Sequence, residues 1–290
     1  MASYKIKIGS FECAAISDGS FKYKPPMFPN PAMLLFANAP KDSLESTLRE
    51  HHIIPEMWTE WVSPYTCMTI DTGEHRVLVD TGAGDLDINT GNLIQNLKEE
   101  GVTPEDVDTV IITHAHPDHT GGNILSDGNP AFPNARFVLW RDEWNFWTSQ
   151  KPSHESKEDE HLDMLRGLAQ KTLLPIRSQL VLIDQEKEIV PGISAISTPG
   201  HTPGHMALAV ASEDEKLFIV ADSVLHPIHL EQLDWYSAVD YDPEQAILSR
   251  RRLLNMASKE NSLISAFHFP FPGIGNAVAN NGSWQWQPLA

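Results

Sequence analysis

Short apolar runs recur along the chain, many of them bounded by Gly, Asp or Pro. Runs of that length and punctuation predict strands rather than helices. They lie at residues 4–8, 66–70, 75–79, 109–113, 136–140, 179–183, 193–197, 206–210 and 217–220. Asp71-Thr72-Gly73, between two of them, reads as a hairpin turn. Helical signals are fewer. Asp242 can cap a helix with Pro243 in its first turn and Gln245 three positions after the cap, running to about residue 258. Residues 92–100 end at Gly101 as a helix with a C-terminal glycine should, and Thr103-Pro104-Glu105-Asp106 opens a short helical turn. The most polar stretch, 151–161, reads as an exposed loop or a helix start. Strands dominate, with helices between them, which predicts strands packed in the middle and helices outside. No repeat, heptad pattern or linker divides the chain.

Composition narrows the partners. With 21 basic and 39 acidic residues among 290, the formal charge is −18. Phosphate contacts need a Lys/Arg surface, so a nucleic-acid binder is disfavoured, as is docking on anionic lipid. The opening MASYKIKIGS has no apolar core of a signal peptide, and no apolar run approaches membrane-spanning length. Cytoplasm is the expectation. Cys13 and Cys67 have no metal-ligand spacing and read as two buried thiols, with one disulfide as the alternative.

The chemistry concentrates at strand ends. After Thr109-Val-Ile-Ile-Thr113 comes His114-Ala-His116-Pro-Asp118-His119-Thr-Gly-Gly122. Imidazole and carboxylate suit Zn²⁺, with iron, manganese or cobalt as alternatives. One strand end cannot turn all four groups onto one ion, so the spacing suggests two metals side by side. A second cluster, Ser197-Thr-Pro-Gly200-His201-Thr-Pro-Gly204-His205, also follows a strand. His201 is its ligand candidate; His205 either holds a ligand in place or is a packed strand histidine. Asp222 ends the apolar run from Leu217, a costly place for a lone carboxylate that one oxygen to each of two ions would explain. His268 follows the apolar residues 263–267, and Asp80 ends the run from Val77, where accepting hydrogen bonds from the histidine turn is favoured over direct ligation. His226 and His229 read as pocket-rim or surface residues.

This pattern resembles the metallo-β-lactamase superfamily. His114-x-His116-x-Asp118-His119, then His201, Asp222 and His268, match its dinuclear motif in order and type, and Asp80-Thr-Gly82 matches its characteristic turn. The resemblance implies an αββα four-layer sandwich of mixed α/β (α+β) class, one domain over residues 1–290. It implies His114, His116 and His201 on one metal, Asp118, His119 and His268 on the other, and Asp222 bridging. A hydroxide between the ions would be the nucleophile, with Asp118 and Asp222 as the catalytic carboxylates. Asp at 222, where one β-lactamase subclass carries Cys, disfavours antibiotic hydrolysis. The short segment after His268 leaves no room for a glyoxalase II helical domain. Phe269-Pro-Phe-Pro-Gly-Ile-Gly275 and Ile16-Ser-Asp-Gly-Ser20 are most similar to methyl parathion hydrolase and its lactonase-like relatives.

That subgroup implies hydrolysis of neutral lactones, aryl esters and phosphotriesters, which a −18 surface need not repel. Phe28, Trp58, Trp61, Phe269 and Phe271 are the aromatic candidates for a hydrophobic substrate pocket. The apolar segment 25–36 is a candidate lid or homodimer contact, against a core loop. The rival readings are a mononuclear iron persulfide dioxygenase, which uses fewer of these ligands, and a non-catalytic, metal-stabilised binding protein on the same fold.

Overall fold

A computed structural model of the chain describes residues 2–149, 157–260 and 262–289, so most of the polar stretch 151–161 lies outside the described residues. Two seven-stranded sheets carry the architecture, and each uses its strands in chain order. The first contains β1 (Ser3–Ile8), β2 (Phe11–Tyr23), β3 (Trp61–Asp71), β4 (Arg76–Val79), β5 (Thr109–Ile111), β6 (Arg136–Trp140) and β7 (Leu180–Ile183). The second contains β8 (Lys187–Val190), β9 (Ile193–Ser197), β10 (Met206–Ser212), β11 (Glu215–Ile219), β12 (Leu263–Ser265), β13 (Ile274–Asn280) and β14 (Ser283–Pro288). The helices are α1 (Pro31–Leu35), α2 (Lys41–Glu50), α3 (Leu93–Glu99), α4 (Pro117–Thr120), α5 (Arg141–Thr148), α6 (Lys157–Leu173), α7 (Ile228–Glu231) and α8 (Pro243–Lys259).

Side-chain alternation along the strands builds three apolar layers. Val77, Val79, Ile111, Val138, Leu208, Leu217 and Ile219 meet between the sheets. Leu78, Val110, Phe137 and Leu139 point the other way, onto Leu93 and Leu97 of α3, Trp147 of α5 and Leu173 of α6. On the far side Phe218, Val220 and Ile264 pack on Leu253, Leu254 and Ala257 of α8. The result is the expected helix–sheet–sheet–helix order. Central strands are therefore apolar on both faces, which is why they were legible as continuous runs.

Helix α8 begins as expected, with the Asp242 carboxylate accepting the Gln245 amide at 3.1 Å. The Thr103 turn carries a capping box with Asp106. The long strand β2 was not expected. It contains Ser17-Asp18-Gly19-Ser20, with a register shift between Ser17 and Gly19, so its apolar pattern is interrupted. The Asp18 carboxylate is fully buried and accepts the amides of Ala83, Gly91 and Leu93. This polar residue thus anchors the chain beyond β4 and the start of α3. Cys13 and Cys67 are free and buried. Cys13 faces the inter-sheet core and Cys67 the opposite side of the first sheet.

A further apolar cluster sits at the sandwich edge. It joins Leu34, Leu35, Phe36 and Leu48 to Trp61, Leu225, Ile228 and Trp235. Segment 25–36 supplies both this cluster and the exposed Met27 and Met33.

Candidate metal centre

Sheet topology decides where the polar strand ends meet. β5 runs parallel to β4, and β12 runs parallel to β11, so each pair delivers its C-terminal ends to the same edge. Asp80 follows β4, His114 to His119 follow β5, Asp222 follows β11 and His268 follows β12. His201 arrives on the loop between β9 and β10.

Two groups of ligand-type atoms result. His114, His116, His201 and Asp222 form one, and Asp118, His119 and His268 form the other, each with atoms within 4.8 Å of one another. Nδ1 of His116 lies 3.1 Å from Nε2 of His114 and 3.0 Å from Nε2 of His201. Asp222 stands between the groups. Its Oδ2 is 3.2 Å from His201 Nε2 and 3.1 Å from His268 Nε2, and its Oδ1 is 3.2 Å from His119 Nε2. Asp118 Oδ2 is 3.6 Å from His268 Nε2 and 4.0 Å from His119 Nε2.

These residues fit two divalent cations. Three ring nitrogens converging at about 3 Å cannot all satisfy one another with hydrogens. Nitrogen and oxygen atoms coordinating zinc at about 2.0–2.2 Å in a tetrahedron stand roughly 3.3 Å apart, close to the gaps seen. The atoms His119 Nε2 and Asp222 Oδ1 are buried without a hydrogen-bond partner. An unsatisfied buried pair of that kind is costly, and a shared cation removes the cost.

Hydrogen bonds behind the rings fix which nitrogen faces inward. Asp80 sits in the left-handed region at φ 57°, and its carboxylate accepts the Thr113 amide, the Thr113 hydroxyl and His119 Nδ1–H, each at 2.8 Å. His201 Nδ1 donates to Asp240 Oδ1 at 2.9 Å, and His268 Nδ1 pairs with the Ser63 hydroxyl at 2.8 Å. His205 lies between Thr198 and Asp222: its Nδ1 pairs with the Thr198 hydroxyl at 2.8 Å, and its Nε2 accepts the Asp222 amide at 3.2 Å.

Glu143, on α5, is fully buried and braces both histidine loops. Its Oε1 accepts the Ala115 amide and the Trp147 indole N–H, at 2.8 and 2.5 Å. Its Oε2 accepts the Thr202 hydroxyl and the Gly204 amide, at 2.7 and 2.9 Å. Gly204 is required there, because a Cβ would lie 2.2 Å from the Glu143 backbone nitrogen. Gly200 serves the same loop at φ 132°, pressed on the backbone of α8 at Ala246.

Burial and charge oppose each other across the site. Burial would raise the Asp222 carboxyl, but His268, His119 and His114 outweigh it and hold it well below the usual range. Burial, with His119 adding to it, drives His114 well below an ordinary imidazole; burial and His201 do the same to His116. Burial also acts against protonated His201, yet Asp222 and Asp240 raise it to about 9. Burial pushes His205 down to about 3 and raises Glu143 despite its four donors.

The aromatic candidates divide. Trp61 lies 5.7 Å from the His268 ring, and Phe28 packs edge-on to Tyr23, itself stacked on Trp61. Trp58 lies 6.0 Å from His226 and lines a groove of about 890 Å³ with Met33, Leu44 and Leu48. Phe269 and Phe271 pack against apolar cores instead. Phe269 is fully buried against Trp286 under the second sheet, and Phe271 packs into the inter-sheet core. Their apolar area contributes more in those cores than at a wet rim. His229 is buried rather than on a rim, its Nε2 donating to the Leu35 carbonyl at 2.8 Å.

Asp240, Glu143 and Ser63 were missed by sequence reasoning. Glu143 carries the one available signal, an acid set among Trp140, Trp144 and Trp147. Asp240 lies two residues before a capping aspartate, and nothing in its neighbourhood marks it.

Comparison with known proteins agrees with this geometry. Residues 61–268 match the family model described as Metallo-beta-lactamase superfamily. The N-acyl homoserine lactonase AiiA of Bacillus thuringiensis subsp. kurstaki is 27% identical over 226 residues, covering 71% of this chain and 81% of that protein. Metallo-beta-lactamase domain-containing protein 1 of Mus musculus is 27% identical over 213 residues, covering 71% and 68%. AidC, described as a dizinc quorum-quenching lactonase and solved in complex with a product, superposes with a TM-score of 0.88 at 26% identity, covering 100% of this chain and 98% of that one. The match spans more than half the chain and runs from the start of β3 to His268, so this protein belongs to the metallo-β-lactamase superfamily.

Proposed function

We propose that the protein is a dinuclear metal-dependent hydrolase of lactones and related neutral esters, with zinc as its metal. The observation that carries this is the pair of ligand groups meeting at one carboxylate, Asp222. The similarity to AiiA and AidC, both described as lactonases, supports the substrate class. His114, His116 and His201 would hold one ion, Asp118, His119 and His268 the other, with Asp222 shared. Two such ions, when bound, lower the pKa of water and polarise the substrate oxygen.

The chain's own residues do the rest. Asp80, Asp240 and Ser63 keep one nitrogen of His119, His201 and His268 turned inward. Asp118, 14% exposed at its side chain, is the least buried acid of the set. In this reading it would take the proton of the attacking water and return it to the alkoxide that departs as the ring C–O bond breaks. Phosphotriesters are also neutral, and we propose them as a second substrate class. The full set of seven ligand-type residues favours hydrolysis over a mononuclear iron dioxygenase, and open coordination over a purely structural site.

The test is metal content per chain on protein purified without a metal-binding tag, with lactone, aryl-ester and phosphotriester hydrolysis assayed on the same sample. Two zinc ions, with lactone turnover lost on chelation and restored by zinc, are expected. One iron per chain, or two metals with no ester or lactone turnover, overturns the reading.

A further inference from the structure

The carboxylate that stands between the two ligand groups is carried on a strained turn. Asp222 is the middle residue of Ala221–Ser223, just beyond β11. Ala221 is buried and sits in the left-handed region at φ 43°. That conformation is costly for a residue with a Cβ, and it persists only where the surroundings hold it. From this turn the Asp222 side chain reaches both His201 and His119. Its position therefore depends on whatever keeps the turn from relaxing.

On the inner side the turn is held by the sheet edge. The Val220 amide donates to the Ser265 carbonyl of β12 at 2.9 Å, and the Ser223 amide donates back to the Val220 carbonyl at 3.1 Å. The Asp222 amide donates to His205 Nε2 at 3.2 Å. On the outer side stands Arg250 of α8, which is fully buried. Its Nε donates to the Ser223 carbonyl at 2.9 Å, and its Nη1 donates to the carbonyls of Leu233 and Trp235, at 3.1 and 2.6 Å. One guanidinium thus fixes both ends of segment 223–235, at the residue directly after Asp222 and again beyond α7. A single ammonium does not reproduce a planar fork of that shape. Helix α8 is itself tied to the His201 loop, where the Ser249 hydroxyl donates to the Pro199 carbonyl at 2.6 Å. Arg250 therefore sets where the Asp222 turn stands relative to that loop.

We propose that Arg250 is a positioning residue for Asp222: it holds the Ala221–Ser223 turn in its strained form and so sets the affinity of both ligand groups together. This rests on the dinuclear reading above. It differs from Glu143, Asp240, Asp80 and Ser63, each of which braces one group. Removing partners that orient metal ligands typically changes affinity by about 10–100-fold.

The experiment is a calorimetric titration of metal-free protein with Zn²⁺ for the natural sequence, Arg250→Lys, Ala221→Gly and the double variant. Urea unfolding of each metal-free protein shows that it folds. Glycine adopts a positive φ without strain, so Ala221→Gly is the specific rescue. The natural protein should show two binding events. Arg250→Lys should weaken both by roughly tenfold or more. Ala221→Gly alone should weaken neither. In the double variant glycine should recover about fivefold of the loss at both events, the effect of removing a Cβ from a left-handed position. If Arg250 is merely structural, Arg250→Lys lowers the urea midpoint and leaves both affinities unchanged, which overturns the inference. A loss that glycine does not recover, or weakening of one event alone, overturns it as well. Should Arg250→Lys not fold, hydrogen exchange at the Asp222 and Ser223 amides decides, in metal-free natural protein and Ala221→Gly. Exchange slowed about fivefold by glycine supports a turn held under strain, and unchanged or faster exchange overturns it. Fewer than two binding events in the natural protein overturns the dinuclear reading instead, and the inference with it.

Discussion

The two halves of the centre are braced by different chemistry. Behind His114, His116 and His201 stand two buried carboxylates, Glu143 and Asp240, and Glu143 ties both histidine loops together through three of its four donors. Behind Asp118, His119 and His268 there is one carboxylate, Asp80, and one neutral hydroxyl, Ser63. Charge-assisted hydrogen bonds are roughly twice as strong as neutral ones. The first half is therefore expected to be the stiffer of the two.

The largest effect should come from the residue common to both halves. Asp222→Ala should remove both metals and lower turnover by at least about 10³-fold, since metal activation supplies several kcal/mol. Elemental analysis beside a lactone assay checks it, and full activity with two metals bound would refute the shared role. Glu143→Gln comes next. One amide oxygen cannot serve four donors, and its NH₂ must face two of them. A loss of about 3 kcal/mol in the urea unfolding of metal-free protein is expected, together with weaker zinc binding at the first half only. Equal weakening at both halves would mean that Glu143 braces the whole edge.

A matched pair sharpens the contrast. Asp240→Asn should weaken the His201 site by roughly 10–100-fold. Ser63→Ala should weaken the His268 site by only about fivefold, the worth of a neutral hydrogen bond. Zinc titration of both variants decides the order, and a reversed order would break the comparison. The smallest effect is in pH. Burial lowers His205 and His226 to about 3. Unfolded histidines take up protons near pH 6.5, so this contribution to stability is present above 6.5 and is lost as pH falls toward 3. Asp18, raised to about 6 by burial, works the other way between 3.8 and 6. In metal-free protein, His226→Phe should flatten the fall in urea midpoint between pH 6.5 and 4.5, and an unchanged slope would remove His226 from that account.

Legibility followed burial pattern. Strands apolar on both faces, such as β5 and β6, stood out as unbroken runs. β13 and β14 expose alternate residues such as Val278 and Gln285, and their pattern merges with loop sequence. The short helices α1 and α7 hold the edge cluster through tertiary contacts, with too few residues for a helical period to show. Among the aromatics, sequence could not separate Trp61 beside His268 from Phe269 under the second sheet, because both are large, apolar and next to polar motifs.

The seven ligand-type residues and the layered fold were legible from local sequence pattern. A strand that ends on a cluster of His and Asp declares both its burial and its chemistry within a few residues. Only the assembled fold shows the supports: Glu143, Asp240 and Ser63 reach the centre across gaps in sequence as long as 205 residues, as for Ser63 and His268. Their roles depend on which loops the two sheets bring to one edge, and local pattern carries no record of a partner that distant.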